Sequence, residues 1–352
     1  MAGFSACVYC ADCLQTSALP CEACQISADT VINGSFVYEK DRILSAVFVH
    51  IALEVVVVAF RGTAPTEVRN YVADIDIRKE DADYVAGKTH NGFTDAFRGV
   101  RDQTPLLQTV SQLAERFPTF RVVVTGHSLG AALATLCTVA LASTTSLGSR
   151  LHFYGFGSPL VGDERWANNV NALFQENSIS FHRVVHNRDP VCAIPPTLFG
   201  FRHIANEVFY DDDMDPGKFE VCRSSHEGKC SDDLTLRVAF DDHLFYFDIL
   251  VGLSCGAVSG TSTATLPPNA PNLLCAMGVF GASGECVDEK TCRARGGDFL
   301  TKISAMRNMA PCSGGPAVGC CVPTAGTPAP TATELPLFVS SSSSSKLQPF
   351  FF

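Results

Sequence analysis

Gly126, Ser128 and Gly130 lie in the segment TGHSLGAALA (125–134) and set out the pattern G-x-S-x-G. A serine hydroxyl is a weak nucleophile on its own. Presented at a tight strand-to-helix turn, it meets the positive end of the helix dipole and free backbone N–H groups. The pattern alone arises often by chance, but its flanks here fit the chemistry. The apolar run RVVV (121–124) enters it as a buried strand would, and the small-residue stretch AALATLCTVAL (131–141) leaves it as a helix would. Glycines suit a turn too strained for bulkier neighbours. The rival reading, a serine that merely caps a helix, accounts for the helix but not for the strand or the glycines.

Acyl transfer by such a serine needs a histidine to take its proton and an acid to orient that histidine, in the chain order serine, acid, histidine. Two aspartates qualify by position: Asp163, after LHFYGFGSPLVG, and Asp189, after FHRVVHNR. The strand before Asp163 should be the immediate neighbour of the nucleophile strand, with its aspartate too close to the next helix. Asp189 sits one strand further on, and Pro190 stops that strand. It is the better choice. Three histidines follow. His226 is bracketed by Cys222 and Cys230, and His203 lies in the apolar FGFRHI, where packing or hydrogen bonding is its expected role. His243 precedes LFYFDILVGL near the end of the fold, where a loop would carry a general base. Elimination favours His243.

These residues need a frame. Residues 44–60 read as two strands, and Val55 to Phe60 is an almost unbroken apolar run, the texture of a strand covered on both faces. The texture returns at 121–126, 151–157 and 181–186. Helical stretches from Pro105 to Phe117 and from Leu129 to Leu141 lie between. Strand and helix alternate, which predicts an α/β fold with a mostly parallel central sheet flanked by helices.

The chain's 352 residues allow one large domain and something small, and 46% hydrophobic with 18% charged residues is an ordinary globular composition. A net charge of −10 argues against a nucleic-acid partner and gives no pull toward anionic lipid, so any lipid contact must be apolar. The longest membrane-like run, VFVHIALEVVVVAF, is too short to span and is broken by His50 and Glu54. Sixteen cysteines point to an oxidising compartment, hence a secreted protein. The opening MAGFSACVYCADC lacks the basic and apolar regions of a signal peptide and reads as a start near the mature protein. Zinc is the rival use of Cys10–Cys13 and Cys21–Cys24, but no histidine accompanies them. DDDMD (211–215) fails the calcium-loop pattern, with Pro216 where glycine is needed. No metal or organic cofactor is implied.

Composition shifts after Cys255. Residues 256–274 read as a linker, and residues 275–323 as a small disulfide-stapled module almost without strand or helix periodicity. Residues 324–352 read as a disordered low-complexity tail.

Taken together, VVVAFRGT (56–63), THNGF (89–93), TGHSLGAALA, GSPLVGD (157–163), HRVVHNRDPV (182–191) and DHLFYF (242–247) resemble, in this order, the fungal-type class 3 lipases. That family includes triacylglycerol lipases and feruloyl esterases of filamentous fungi. The resemblance covers about residues 5–255 and implies an α/β-hydrolase fold with Ser128, Asp189 and His243 as the triad. It also implies an oxyanion hole from the backbone N–H groups of Thr63 and Leu129. The family's lid would fall between Thr63 and His90, where Val68, Tyr71, Val72 and Ile75 recur at i, i+3, i+4 and i+7, a short amphipathic helix. Asp74, Asp76, Glu80, Asp81 and Asp83 make its second half polar, which resembles the feruloyl-esterase branch.

By the same resemblance Cys21–Cys24, Cys222–Cys230 and Cys10–Cys255 are disulfides. Cys137, in an apolar helix, reads as an inert buried thiol, and Cys7 and Cys13 have no assigned partner. The expected function is ester hydrolysis by a secreted monomer, first on acylglycerols at an oil–water interface. Alternatives are a feruloyl esterase, a phospholipase A1-type esterase, or a protein dominated by a C-terminal module that binds cell wall or another protein.

Overall fold

Val55–Phe60 shows how the sequence dictates the architecture. All six residues are buried, and they alternate between two cores. Val56, Val58 and Phe60 join one cluster, while Val55, Val57 and Ala59 join another with Phe4, Val8 and Phe48. A strand's side chains alternate faces, so a run of uninterrupted apolar residues needs cover on both.

The computed structural model describes residues 1–14, 30–40, 42–211, 214, 218–223, 230–231, 239–247 and 249–252, and the backbone of four strands between 274 and 323. The first half runs α1 (Ala2–Cys7), α2 (Ala11–Leu14), β1 (Thr30–Tyr38), β2 (Ile43–His50), β3 (Val55–Phe60), α3 (Val68–Ala73), β4 (Lys79–Asp81), β5 (Lys88–His90), α4 (Asn91–Gln103), α5 (Leu106–Arg116) and β6 (Arg121–His127). There follow α6 (Leu129–Thr144), β7 (Leu151–Phe156), β8 (Gly162–Asp163), α7 (Glu164–Glu176), β9 (Ser180–His186), β10 (Phe201–Arg202), β11 (Glu207–Tyr210) and β12 (Glu220–Cys222). The helix α8 (Phe240–Leu244) and the hairpin β13 (Phe245–Tyr246) and β14 (Ile249–Leu250) follow.

The main sheet has the order β1-β2-β3-β6-β7-β9-β11-β12. Its centre, β3 to β11, is parallel, and β1, β2 and β12 are antiparallel additions at the edges. This is the predicted mostly parallel α/β-hydrolase sheet. Helix α6, buried from Gly130 through Leu141, lies against it, which explains its apolar character all round. Helix α1 covers the opposite face through Phe4 and Val8. A smaller sheet of order β10-β8-β5-β4 fixes the loops beside the site.

No helix among the described residues is long and apolar enough to cross a membrane. Cys222 and Cys230 are bonded, as the resemblance implied. Cys7 and Cys10 are each in a disulfide. Cys21, Cys24 and Cys255 lie outside the described residues. Cys137 is buried and unpaired as expected, its thiol pushed up by burial.

A second unit contains β15 (Leu274–Ala276), β16 (Ser283–Asp288), β17 (Gly297–Leu300) and β18 (Val318–Pro323), joined antiparallel in the order β15-β16-β18-β17. The sequence suggested almost no regular structure here. The strands escaped notice because SGECVD and VGCCVP are short and carry glycine and cysteine in place of an apolar–polar alternation. The predicted linker and the predicted tail lie outside the described residues, apart from Leu274 in β15.

Candidate active site

Ser128 stands between β6 and α6 with φ +60° and ψ −132°, a strained conformation for a residue bearing a side chain. Its N–H donates to Phe156 O at 2.9 Å, and its carbonyl accepts from Ala131 N–H at 2.9 Å. The glycines on either side have a steric cause. A Cβ on Gly126 would collide with the Gly130 backbone, and a Cβ on Gly130 with the Phe60 backbone. The turn therefore closes only with hydrogen at both positions.

Asp189 leaves the end of β9 and is completely buried. Its Oδ1 and Oδ2 lie 3.0 and 2.9 Å from His243 Nδ1. Tyr246 OH donates to Oδ2 at 2.8 Å, and Val191 N–H donates to Oδ1 at 2.8 Å. Burial by itself would raise this carboxyl. The neighbouring His243 and the three donors outweigh it and hold it at about 2. Gly157, at φ +56°, backs the pair, since a Cβ there would press on both Asp189 Oδ2 and His243 Nδ1.

His243 is also completely buried. Its Nδ1 is taken by Asp189, whereas His243 Nε2 and Ser128 Oγ are buried atoms without a hydrogen-bond partner. In a serine–histidine–acid arrangement these would be the donor and acceptor of the transferred proton, a bond that commonly tightens only when substrate is engaged.

Asp163 does something else. It is the N-cap of α7, and its side chain accepts from Trp166 N–H at 2.8 Å. The proximity to a helix start that argued against it in the sequence is its structural job. His203 hydrogen-bonds Cys192 O at 2.8 Å, the packing role expected of it. His226 lies outside the described residues. His243 sits within the short helix α8 rather than on a loop.

Four residues around the site escaped the sequence reading. His127 Nε2–H donates to the carbonyl of His243 at 2.6 Å, and its Nδ1 accepts from Tyr9 OH at 2.8 Å. The two imidazole rings lie 4.4 Å apart. Burial first, then the nearby His243, hold His127 down to about 3, so it is a neutral ring with a fixed tautomer. His186 Nδ1 lies 3.0 Å from Asp242 O and 2.8 Å from Phe245 O. Together with the bond from Arg188 N–H to Asp242 Oδ2, these contacts clamp α8 from the nucleophile strand and from the acid strand. Tyr246 is the fourth. Its place three residues after His243 was the available signal.

Leu129, the first residue of α6, follows Ser128, so its N–H is one of the free donors of that helix. Gly62, the residue before Thr63, packs so closely on the elbow that a Cβ on it would collide with His127 O and Ser128 Cβ.

The segment expected to form the lid carries a shorter helix than its spacing suggested. Val68, Tyr71 and Val72 fall in α3, but the helix ends at Ala73 and Ile75 lies beyond it. Asp74, a poor helix former, caps that end. Val68 is buried, and Tyr71 and Ile75 pack on the main core. The polar second half is tied to neighbouring elements. Lys79–Asp81 pairs with Lys88–His90. Glu80 and Asp83 bind Arg98, and Asp83 also binds Arg101, both on α4. Hydrogen bonds from Arg98, then from Arg101, keep Asp83 below the usual carboxylate range. At the other end Arg69 of α3 stacks over the Phe240 ring at 4.2 Å, touching the helix that carries His243.

The Lipase (class 3) family model matches residues 57–199. A lipase of Rhizomucor miehei is 36% identical over 200 residues, covering 56% of this chain and 53% of that one. A secreted mono- and diacylglycerol lipase 1 of Fusarium solani is 33% identical over 223 residues, covering 62% of this chain and 63% of that one. The chain thus spans between half and two thirds of these curated relatives. A solved triacylglycerol lipase, described as having a serine protease triad as its catalytic centre, matches with a TM-score of 0.64 at 31% identity, over 72% of this chain and 94% of its own. With the motifs, the sheet order and these likenesses in agreement, the chain belongs to the class 3 lipase family.

Proposed function

We propose that the protein is a secreted serine carboxylic-ester hydrolase that acts on acylglycerols. The observation that carries this reading is the buried His243–Asp189 pair, which leaves His243 Nε2 without a hydrogen-bond partner, together with a strained Ser128 whose buried Oγ also has none. Ser128 Oγ attacks the ester carbonyl while His243 Nε2 takes its proton and Asp189 steadies the imidazolium. The N–H groups of Thr63 and Leu129 stabilise the oxyanion, the largest single contribution in such sites. His243 returns the proton to the leaving alcohol, and water then releases the acid from the acyl-enzyme.

Acylglycerols are preferred over feruloyl esters because two of the acids that made the lid look polar, Glu80 and Asp83, are tied to Arg98 and Arg101, while Asp76 and Asp81 pair with Arg78 and Lys88. What remains of the lid is α3 and its apolar side chains. Ser128 and His243 are completely buried, so a segment must move before an ester can enter. We assign that movement to α3. The relatives' lipase names and the cysteine content support the substrate class and secretion. The division into a catalytic domain ending at Cys255, a linker, a cysteine-rich module and a tail belongs to the same reading, as does a monomeric enzyme.

Ser128→Ala tests the assignment. It should fold normally and reduce turnover of a soluble ester by about 10⁴-fold or more. A mutant retaining a tenth of wild-type activity would remove Ser128 from the mechanism.

A further inference from the structure

Tyr9 stands between α1 and α2, next to the buried Val8 and flanked by Cys7 and Cys10, each held in a disulfide. Its hydroxyl lies 2.8 Å from His127 Nδ1 and rests on Gly62, where an added Cβ would strike it. The ring has close neighbours too. A Cβ on Gly252, at φ +82°, would press on both Tyr9 Cδ1 and Pro65. One side chain from the N-terminal segment therefore touches the residue before the nucleophile and the loop that carries Thr63.

The direction of these contacts follows by elimination. His127 Nε2 lies 2.6 Å from the carbonyl of His243, which can only accept, so this nitrogen carries the hydrogen. Burial first, then His243, keep the ring neutral, and Nδ1 therefore presents a lone pair. Tyr9 must donate to it. The other acceptor in reach, His127 O, is 3.5 Å from the hydroxyl, at the limit of a hydrogen bond. With its one hydrogen committed, the phenol oxygen has only lone pairs for Gly62. The Gly62 N–H acts on that oxygen and partly offsets the upward push of burial, which dominates and keeps Tyr9 protonated.

The contacts thus run one way, from Gly62 N–H to Tyr9 O–H to His127 and on to His243 O. At one end is the loop of an oxyanion donor, and at the other the backbone of the general base. Charge develops at both places in the same step, on the substrate oxygen and on the imidazole. Small misplacements of either are costly, because catalysis depends on donors and base already standing where that charge appears.

We propose that Tyr9 is a positioning residue of the hydrolase, setting the oxyanion loop at Gly62 and, through His127, the backbone of His243. This rests on the ester-hydrolase reading and adds the N-terminal segment to the working site. Asp189 fixes the imidazole at its Nδ1. Tyr9 and His127 fix the residue that bears it relative to the oxyanion hole. Phenylalanine at position 9 would keep the ring contacts, remove the middle link and leave His127 Nδ1 buried without its donor.

Tyr9→Phe in the full chain tests this on a soluble short-chain ester, with rates normalised to active sites titrated by a phosphonate. The kcat per site should fall about tenfold, the scale of one interior hydrogen bond, with KM nearly unchanged. Inhibition by an alkyl trifluoromethyl ketone should weaken by the same factor. Its charged tetrahedral adduct on Ser128 needs the oxyanion donors and the protonated base together, as the transition state does. His127→Leu breaks the next link and should show the same split between kcat and KM. It carries the test alone should Tyr9→Phe not fold. Combined, the two changes should cost little more than His127→Leu by itself. An unchanged kcat per site would reduce Tyr9 to packing and overturn the proposal. A loss confined to KM, an unchanged ketone affinity, or losses that multiply in the double mutant would overturn it as well. Failure of the hydrolase reading would show separately, as ester turnover that survives Ser128→Ala.

Discussion

Tyr246 donates its hydroxyl to Asp189 Oδ2 at 2.8 Å, the same oxygen that lies 2.9 Å from His243 Nδ1. The phenol therefore fixes the carboxylate against which the imidazole is oriented. Tyr246 is fully buried, and burial and the adjacent Asp189 carboxylate push its own ionisation far upward, so it remains a donor at any working pH. Hydrogen bonds to charged groups are worth about 1.5–3 kcal/mol, and part of that should be expressed only when the imidazolium forms. Tyr246→Phe should lower kcat about tenfold with KM nearly unchanged. Normalising to titrated active sites separates this from loss of folded protein. An unchanged kcat per site would mean that the phenol only packs.

The two aspartates weighed in the sequence now have distinct jobs, and asparagine discriminates between them. At position 163 asparagine is as good an N-cap as aspartate, so Asp163→Asn should leave both stability and turnover close to wild type. At position 189 asparagine offers His243 Nδ1 a neutral partner and favours the wrong tautomer. A loss of about 10⁴-fold in kcat is expected. Steady-state kinetics of the two variants side by side settles the order, and the reverse ranking would overturn the assignment of the acid.

Acid should destabilise the fold in two overlapping windows. His127 is held neutral down to about 3 against an ordinary 6.5, so the unfolded chain takes up its proton first. Stability is then lost as pH falls from 6.5 toward 3. Asp189, held at about 2 against 3.8, contributes stability that is present above 3.8 and lost as pH falls toward 2. Between about pH 4 and 6 His127 acts without Asp189. His127→Gln, which keeps a donor for the His243 carbonyl, should flatten the pH dependence of urea unfolding there by up to about 1.4 kcal/mol per pH unit. Parallel curves for wild type and mutant would show that the ring is not held neutral.

What the sequence revealed and what it hid follow from locality. Val55–Phe60, RVVV and the elbow glycines announce a buried parallel sheet and a strained turn, because those demands are met by neighbours in the chain. Asp163 and Asp189 could be ranked because helix capping and strand order are regular. The clamp on α8 was invisible, since His127 and His186 reach it across 116, 56 and 59 residues and use ordinary strand positions to do so. The acidic lid segment misled for the same reason. Glu80 and Asp83 look like a solvated charge run until Arg98 and Arg101, 15 to 18 residues later, are folded onto them.

On the proposal that α3 is the lid, a polar defect in it would weaken its closed position measurably. Tyr71 packs on the core with its hydroxyl buried and without a hydrogen-bond partner. A buried unsatisfied hydroxyl costs about 1–3 kcal/mol, which offsets part of the apolar burial gained by Val68, Tyr71 and Ile75. Opening α3 would return that hydroxyl to water. Tyr71→Phe removes the cost while keeping the ring, so the closed state should gain about fivefold or more in population over the open one. Turnover of a monomeric ester should fall by that factor. Turnover on an emulsified medium-chain ester should hold, because an interface accepts either ring, and the jump in rate at the solubility limit should grow. Tyr71→Ser with Ile75→Ser should do the opposite, weakening the jump while sparing monomeric substrate. If Tyr71→Phe changes neither rate, α3 is not the segment that opens, and the entry of ester to Ser128 must depend on another part of the surface.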